Sequence, residues 1–338
     1  MLIVMKQNAT ADDVDQVVDI IKSMGLQPHA IPGRNRTAIG ITGNKGPVPD
    51  GPFTFLPGVA QAIPVSQPFK LVSLEAKGEA SVVSVDGVAV GGRDVVVMAG
   101  PCSVESREQL MACAHEVKKC GATFLRGGAF KPRTSPYDFQ GLGQGALELL
   151  DEARRLTGLK VVTEVVSTDS AELVARYADL MQVGARNMQN FALLRILGEM
   201  KKPVLLKRGM AATIKELLMA AEYIAASGNY DIILCERGIR TFETMTRNTL
   251  DLGAVTVLKE LSHLPVIVDP SHGIGRRSGV GALARAGIAV GADGIIVEMH
   301  PNPAVALSDG PQSLTFPMFD TMMGEVRKVA GAVGRSLS

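Results

Sequence analysis

Cys102, His272, Glu298 and Asp309 are residue types that hold transition metals, although they lie far apart along the chain. A thiol, an imidazole and two carboxylates together suit a borderline divalent cation such as Mn²⁺, Fe²⁺, Co²⁺ or Zn²⁺. They are not the oxygen cage that Ca²⁺ or Mg²⁺ prefers. No local spacing ties the four together, so two readings stand side by side. One is a metal centre assembled by the fold; the other is a core cysteine and acids that cap helices. A second set is cationic: Arg126, Arg186, Lys207 and Arg237, joined by the loop Lys131-Pro132-Arg133-Thr134-Ser135-Pro136. Guanidinium groups bind phosphate or carboxylate with a planar fork, and lysine adds a point charge. Cations gathered at one mouth repel unless anions fill the space, so the set suggests more than one anionic group, such as a carboxylate with two phosphates. The alternative is structural pairing of two of them at most with Asp138, Glu164 or Glu236. The proline-bracketed loop stiffens the backbone that aims Arg133 and the hydroxyls of Thr134 and Ser135.

Both sets sit at the ends of short apolar runs, which read as strands buried on both faces. These are Asp94–Ala99, Ala122–Arg126, Lys160–Glu164, Leu180–Val183, Val204–Lys207, Asp231–Cys235, Val266–Asp269 and Gly294–Glu298. Helical periodicity separates them, as in Glu105–Lys119, Ala146–Leu156, Ile214–Ala226, Val280–Ala289 and Pro317–Val333. Eight such units predict an α/β fold, a (β/α)₈ TIM barrel, over a doubly wound open sheet. In a barrel the chemistry gathers at the C-terminal strand ends. Those ends carry Cys102, Arg126, Glu164, Arg186, Lys207, Glu236-Arg237, His272 and Glu298. Ser81–Val90 alternates around Asp86-Gly87, a two-residue hairpin signal, and would plug the barrel bottom.

Residues 1–66 read as a separate βαββαβ unit of ferredoxin-like order, 67–79 as a linker and 80–338 as the barrel. The first unit has strands at Leu2–Met5, Pro28–Ile31, Thr37–Ile41 and Val59–Pro64, and a helix capped by Thr10 and stopped by Gly25. It holds no catalytic cluster. Lys+Arg 35 against Asp+Glu 34 leaves a net charge of +1, so the chain as a whole is no electrostatic partner for nucleic acid or an anionic membrane. No apolar run approaches a membrane span. The cysteines form no secreted disulfide framework, which points to a reduced cytoplasmic setting. Cys113 and Cys120 read as packing residues, and Cys235 either lines the site or is buried. Arg276-Arg277 reads as a solvated loop; His115, His263 and His300 are not expected to be ligands.

Several of these motifs carry a resemblance. Gly100-Pro101-Cys102-Ser103-Val104-Glu105, Leu125-Arg126-Gly127-Gly128 through Lys131-Pro132-Arg133-Thr134-Ser135, Gly184-Ala185-Arg186-Asn187 and Asp269-Pro270-Ser271-His272 resemble 3-deoxy-D-arabino-heptulosonate 7-phosphate (DAHP) synthases. The likeness runs from about Lys70 to the C-terminus, in the right order, and residues 1–66 resemble the ferredoxin-like extension of one subgroup. No chorismate mutase segment is apparent. The resemblance implies condensation of phosphoenolpyruvate with erythrose 4-phosphate, the first step toward chorismate and the aromatic amino acids. It implies one divalent metal ion on Cys102, His272, Glu298 and Asp309. Phosphoenolpyruvate would lie on Arg126, Lys131, Arg186, Lys207 and Arg237, with Ala185 in the same substrate set, and erythrose 4-phosphate would meet Arg133, Thr134 and Ser135. Cys102, Lys131, Glu164, Lys207 and His272 would serve the chemistry, Glu164 and Lys207 by positioning water and moving protons. A homotetramer is implied, and fold-level analogy makes residues 1–66 a sensor of tyrosine or phenylalanine. The rival is 3-deoxy-D-manno-octulosonate 8-phosphate synthase, which typically carries Lys-Ala-Asn-Arg-Ser-Ser where this chain has Lys131-Pro132-Arg133-Thr134-Ser135. A metabolite-binding regulator on an inactive barrel is the reading from another class.

Overall fold

A computed structural model describes every residue except 34–35, 45, 64–67, 132–134 and 136. At the N-terminus β1 (Leu2–Met5), α1 (Ala11–Ser23), β2 (Gln27–Pro32), β3 (Thr37–Thr42), α2 (Gly51–Thr54) and β4 (Val59–Ile63) make an antiparallel sheet of order β2-β3-β1-β4. This is the expected ferredoxin-like unit. Thr10 caps α1 as read: its hydroxyl accepts the Asp13 N–H, and the Asp13 carboxylate accepts the Thr10 N–H. Strand alternation gives the sheet two apolar faces. Ile3, Met5, Ile39 and Ile41 pack with Val17 and Ile21 of α1. Leu2, Val4, Ile31 and Ala38 instead join Phe69, Leu71, Val72 and Ala76, in one apolar cluster with the barrel's outer layer.

The segment following the sheet, which includes α3 (Leu74–Lys77), is clamped rather than loose. The Glu222 carboxylate accepts the N–H groups of Lys70, Leu71 and Val72 at 2.9, 3.0 and 3.1 Å. Ser262 Oγ donates to the Val72 carbonyl at 2.6 Å. His263 Nε2 lies 2.9 Å from the Leu71 carbonyl and Nδ1 lies 2.7 Å from Ser81 Oγ, which in turn accepts Lys77 Nζ at 2.8 Å. The carbonyl can only accept, so Nε2 carries the proton and Nδ1 takes the Ser81 hydroxyl. Burial pushes His263 down to about 4 and keeps it neutral.

β5 (Val83–Val85) and β6 (Val88–Val90) form the hairpin, with Asp86 and Gly87 both at positive φ, as a primed turn requires. The barrel strands are β7 (Asp94–Gly100), β8 (Phe124–Arg126), β9 (Lys160–Val165), β10 (Leu180–Val183), β11 (Val204–Lys207), β12 (Ile232–Glu236), β13 (Val266–Val268) and β14 (Gly294–Glu298). They run parallel in chain order, and β14 pairs with β7, so the sheet is closed and the open doubly wound alternative falls. The helices are α4 (Arg107–Lys119), α5 (Gln144–Thr157), α6 (Ala171–Tyr177), α7 (Phe191–Met200), α8 (Ile214–Ala226), α9 (Gly253–Leu261), α10 (Pro270–Ile274), α11 (Arg277–Ala289) and α12 (Phe316–Ala332). Val83, Val85 and Val90 of the hairpin pack with inward-facing Val96, Met98, Phe124 and Ile267, which makes the hairpin a plug. A terminal strand, β15 (Ser336–Leu337), pairs with the start of β7; the sequence reading had not anticipated it. Among the described residues no helix is long and apolar enough to cross a membrane.

Candidate functional site

The loop after β7 brings Cys102 to the barrel mouth. Gly100 sits at φ +153, and a Cβ there would come within 2.0 Å of the Arg126 carbonyl, so only glycine lets the ends of β7 and β8 close this tightly. Glu298 ends β14, and Asp309 stands in the following loop in a left-handed conformation. One ligand atom from each of Cys102, Glu298 and Asp309 lies within 4.8 Å of the others. Cys102 Sγ is 3.3 Å from Asp309 Oδ2, and His272 Nε2 is 3.6 Å from both Glu298 Oε1 and Asp309 Oδ2. The four metal candidates therefore converge, and one sulfur, one imidazole nitrogen and two carboxylates fit a borderline divalent cation.

Asp269 orients the imidazole. The sequence reading placed it in the seventh strand; it caps α10 instead, because Pro270 starts a helical turn and the Asp269 side chain accepts the His272 N–H at 2.9 Å. Its other oxygen lies 2.8 Å from His272 Nδ1 and also pairs with Lys207 Nζ. Nδ1 makes no aligned hydrogen bond, so this is a close charge contact, and Nε2 faces Glu298 and Asp309. Burial alone would raise Asp269, but His272 and Lys207 outweigh it and hold the carboxyl well below the usual range. Glu298 is likewise held low against burial by His272 and Arg126. Burial, with Glu298 adding to it, pushes the Cys102 thiol up to about 12, so a bound cation must displace its proton.

The cations line a cavity of about 180 Å³ beside this cluster. Arg126, Lys131, Arg186, Lys207, Arg237 and Arg247 meet three carboxylates there, from Asp138, Glu164 and Asp309. Gln182, Gly184, Ala185, Met210 and His272 complete the lining. Glu164 lies over Gly184, where a Cβ would stand 2.0 Å from its Oε1, so a larger residue would push the carboxylate aside. Lys131 Nζ donates to the Cys102 carbonyl at 2.9 Å, linking the cationic loop to the thiol. Arg237 is buried, and burial lowers its pKa.

Of the cations named from the sequence, two are paired, though not with the acids the sequence suggested. Arg126 NH1 bonds Glu298 at 2.5 Å, and Lys207 bonds Asp269. Glu236 instead takes Arg208, itself shared with Asp251. Among the described residues neither Arg186 nor Arg237 has an ion pair. Ser135 accepts the Tyr137 N–H at 3.3 Å, and it is not among the residues that line this cavity. Arg133 and Thr134 lie outside the described residues. Cys235 belongs to the inner apolar cluster and not to the cavity. Cys113 and Cys120 are buried, and His300 pairs with Glu105 at 3.2 Å. Arg277 is no solvated residue: it begins α11 and donates to the Gly310 carbonyl at 2.9 Å, beside Asp309. Sequence reasoning missed Arg247 and Gln312 entirely. Arg247 sits in a loop and Gln312 in a single 3₁₀ turn (Gly310–Gln312), neither with a motif, and only the fold brings them to the mouth.

The hairpin plugs one end of the barrel, and the other carries a cation-lined mouth beside a thiol, an imidazole and carboxylates. Residues 72–332 match the DAHP synthetase I family, and residues 1–67 match the DAHP synthase ferredoxin-like domain. The chain belongs to the DAHP synthetase I family, which sets it at the condensation step of the shikimate pathway. It is 52% identical over 334 residues to phospho-2-dehydro-3-deoxyheptonate aldolase of Thermotoga maritima, covering 99% of each chain. A crystal structure of that Thermotoga protein, described as a DAHP synthase, superimposes with a TM-score of 0.80 at 51% identity, covering 100% of this chain and 99% of the other. A truncated form from Thermotoga maritima gives a TM-score of 0.75 at 52% identity, covering 79% of this chain and 98% of its own. A 2-dehydro-3-deoxyphosphooctonate aldolase of Syntrophotalea carbinolica is 30% identical over 261 residues, covering 72% of this chain and 93% of that protein.

Proposed function

We propose that the chain condenses phosphoenolpyruvate with D-erythrose 4-phosphate to give DAHP and phosphate. The observation that carries this reading is the cavity itself, where six cations and three carboxylates meet beside the Cys102–Glu298–Asp309 cluster. When bound, a divalent cation (Mn²⁺, Fe²⁺, Co²⁺ or Zn²⁺) on Cys102, His272, Glu298 and Asp309 supplies Lewis acidity toward an aldehyde oxygen. Arg126, Lys131, Arg186, Lys207 and Arg237, with Ala185 beside them, hold phosphoenolpyruvate; Arg133, Thr134 and Ser135 serve the phosphate of the aldose. Holding two mutually repelling anions at reacting distance is largely a proximity effect. Carbon 3 of phosphoenolpyruvate forms the new bond to the aldehyde carbon, whose oxygen takes up a proton. Water adds at carbon 2, and the bond from carbon 2 to the phosphate oxygen breaks, leaving the ketone and inorganic phosphate. Glu164, poised over Gly184, takes the proton of the incoming water, and Lys207, anchored by Asp269, delivers one.

The four-carbon aldose is preferred to a five-carbon one on the loop Lys131-Pro132-Arg133-Thr134-Ser135 and on the identity to the heptonate aldolase, against 30% for the octonate aldolase. In the same reading residues 1–66 are a regulatory domain, 67–79 a linker and 80–338 the catalytic barrel of a cytoplasmic homotetramer. Tyrosine or phenylalanine acts on the first unit. The test follows phosphoenolpyruvate loss with erythrose 4-phosphate after chelator treatment and again after Mn²⁺ is restored, with arabinose 5-phosphate in parallel. Turnover returning with the four-carbon sugar alone supports the proposal; turnover with arabinose 5-phosphate alone overturns it. Removing residues 1–66 should abolish inhibition by the amino acid while turnover persists, and inhibition that survives removal ends the regulatory part.

A further inference from the structure

Each of the two carboxylates of the ligand cluster divides its oxygens between the cluster and a polar bracket outside it. Asp309 turns Oδ2 toward Cys102 Sγ and His272 Nε2, and its Oδ1 accepts Arg247 NH1 at 3.0 Å. Glu298 turns Oε1 toward His272 Nε2 and Arg126, and its Oε2 accepts Gln312 Nε2 at 2.5 Å. The bracket is continuous, because Arg247 NH1 also donates to Gln312 Oε1 at 2.7 Å. Arginine can only donate and an ionised carboxylate can only accept, so the Gln312 amide has one orientation that satisfies both neighbours. The bracket is also fixed to the third element of the mouth. Arg247 N–H donates to the Ile274 carbonyl at 3.0 Å, and neighbouring Asn248 Nδ2 donates to the His272 carbonyl at 2.9 Å. Gly275, at φ +70, makes room for this approach, since a Cβ there would lie 2.3 Å from the Arg247 Cβ.

We propose that Arg247 and Gln312 are positioning residues: they hold the outer oxygens of Asp309 and Glu298 so that the inner oxygens stay aimed at a bound divalent cation. The proposal rests on the metal reading above. Without the bracket no side chain among the described residues meets the outer oxygen of Asp309, and Arg126 is left as the only described side chain hydrogen-bonded to the Glu298 carboxylate. Partners that orient ligands in this way typically change metal affinity by about 10–100-fold when removed. Simple electrostatics argues for the opposite sign, because removing a cation beside the site should tighten binding of Mn²⁺.

The test uses the full chain stripped with chelator and titrated with Mn²⁺, free Mn²⁺ being read by its electron paramagnetic resonance signal. Arg247→Met and Gln312→Leu should each weaken binding by about 10-fold or more. Arg247→Lys should recover most of the affinity, since both outer contacts of Arg247 leave from one nitrogen that an ammonium can replace. Parent-like or tighter binding in Arg247→Met overturns the proposal while leaving the metal site standing. Because Arg247 is partly exposed, that variant stays decisive if the buried Gln312→Leu fails to fold. A parent chain that takes up no Mn²⁺, or uptake unchanged in Cys102→Ala, overturns the metal reading itself.

Discussion

Two regions of this molecule bury histidine and carboxylate side chains, and they use them in opposite ways. At the clamp, Glu222 is filled by three backbone N–H groups, and both nitrogens of His263 face a partner within 2.9 Å. At the mouth, His272 Nε2 faces two carboxylate oxygens that are each 3.6 Å away, beyond hydrogen-bond reach. Buried Arg237 adds charge there without an ion pair among the described residues. A buried polar group left incompletely matched costs stability, so a fold keeps such groups where they have another task. Completed networks mark structure, and incomplete ones at the strand ends mark chemistry.

The sharpest way to break this contrast is to compare a substitution at each region for its effect on turnover and on stability. Cys102→Ala removes a candidate ligand and should lower turnover by roughly a thousand-fold, taking several kcal/mol as the share of a Lewis acid. Its thermal midpoint should stay close to that of the parent. A variant that keeps parental turnover would mean that the mouth is as structural as the clamp.

The clamp should show the reverse pattern. His263 is held neutral down to about 4 in the folded chain against 6.5 when exposed. Between those values the unfolded chain binds the extra proton, so the unfolding free energy rises with pH through this window and is lost on acidification. The loss at the acid end is about 3 kcal/mol from this group. Urea unfolding across the window should show this slope in the parent and lack it in His263→Gln; equal slopes would break the assignment. Glu222→Gln should cost about 2 kcal/mol, because one amide oxygen cannot replace a carboxylate for several backbone donors. The Michaelis constant and turnover number should not move, and a large drop in turnover at matched folded fraction would mean that the clamp reaches the site.

The contrast also explains what the sequence could disclose. The barrel strands were legible because strands covered on both faces must be short apolar runs, and because Arg126, Lys207 and Glu298 break the apolar pattern at their ends. The hairpin was legible because Asp86-Gly87 suits two successive positive φ angles. Convergence of Cys102, Glu298 and Asp309 followed from closing the barrel, since the first and last strands are neighbours only in a closed sheet. Pairing was not legible. Arg126 and Lys207 could not be assigned to Glu298 and Asp269 from sequence, because those choices depend on side-chain direction across the mouth. Glu222, His263, Arg247 and Gln312 lie on helices and loops with no local pattern that distinguishes them from surface polar residues. Their roles exist only in tertiary contact.

The smallest expected effect tests whether the clamp joins the N-terminal sheet to the barrel as one folding unit. Thr10→Ala removes the capping box of α1 and should cost about 1 kcal/mol. One face of that sheet shares its apolar cluster with the connecting segment and the barrel's outer layer, so this cost should be spread over the whole chain. For a unit this large it lowers a single thermal midpoint by only about 2 °C or less. If the sheet melts by itself, the same cost falls on a unit of small size and should appear as a separate, earlier transition displaced by about 4–8 °C. Calorimetry of Thr10→Ala beside Glu222→Gln distinguishes the cases. A coupled molecule shifts one peak in both variants, whereas an uncoupled one shows an early peak that Thr10→Ala moves and Glu222→Gln leaves in place.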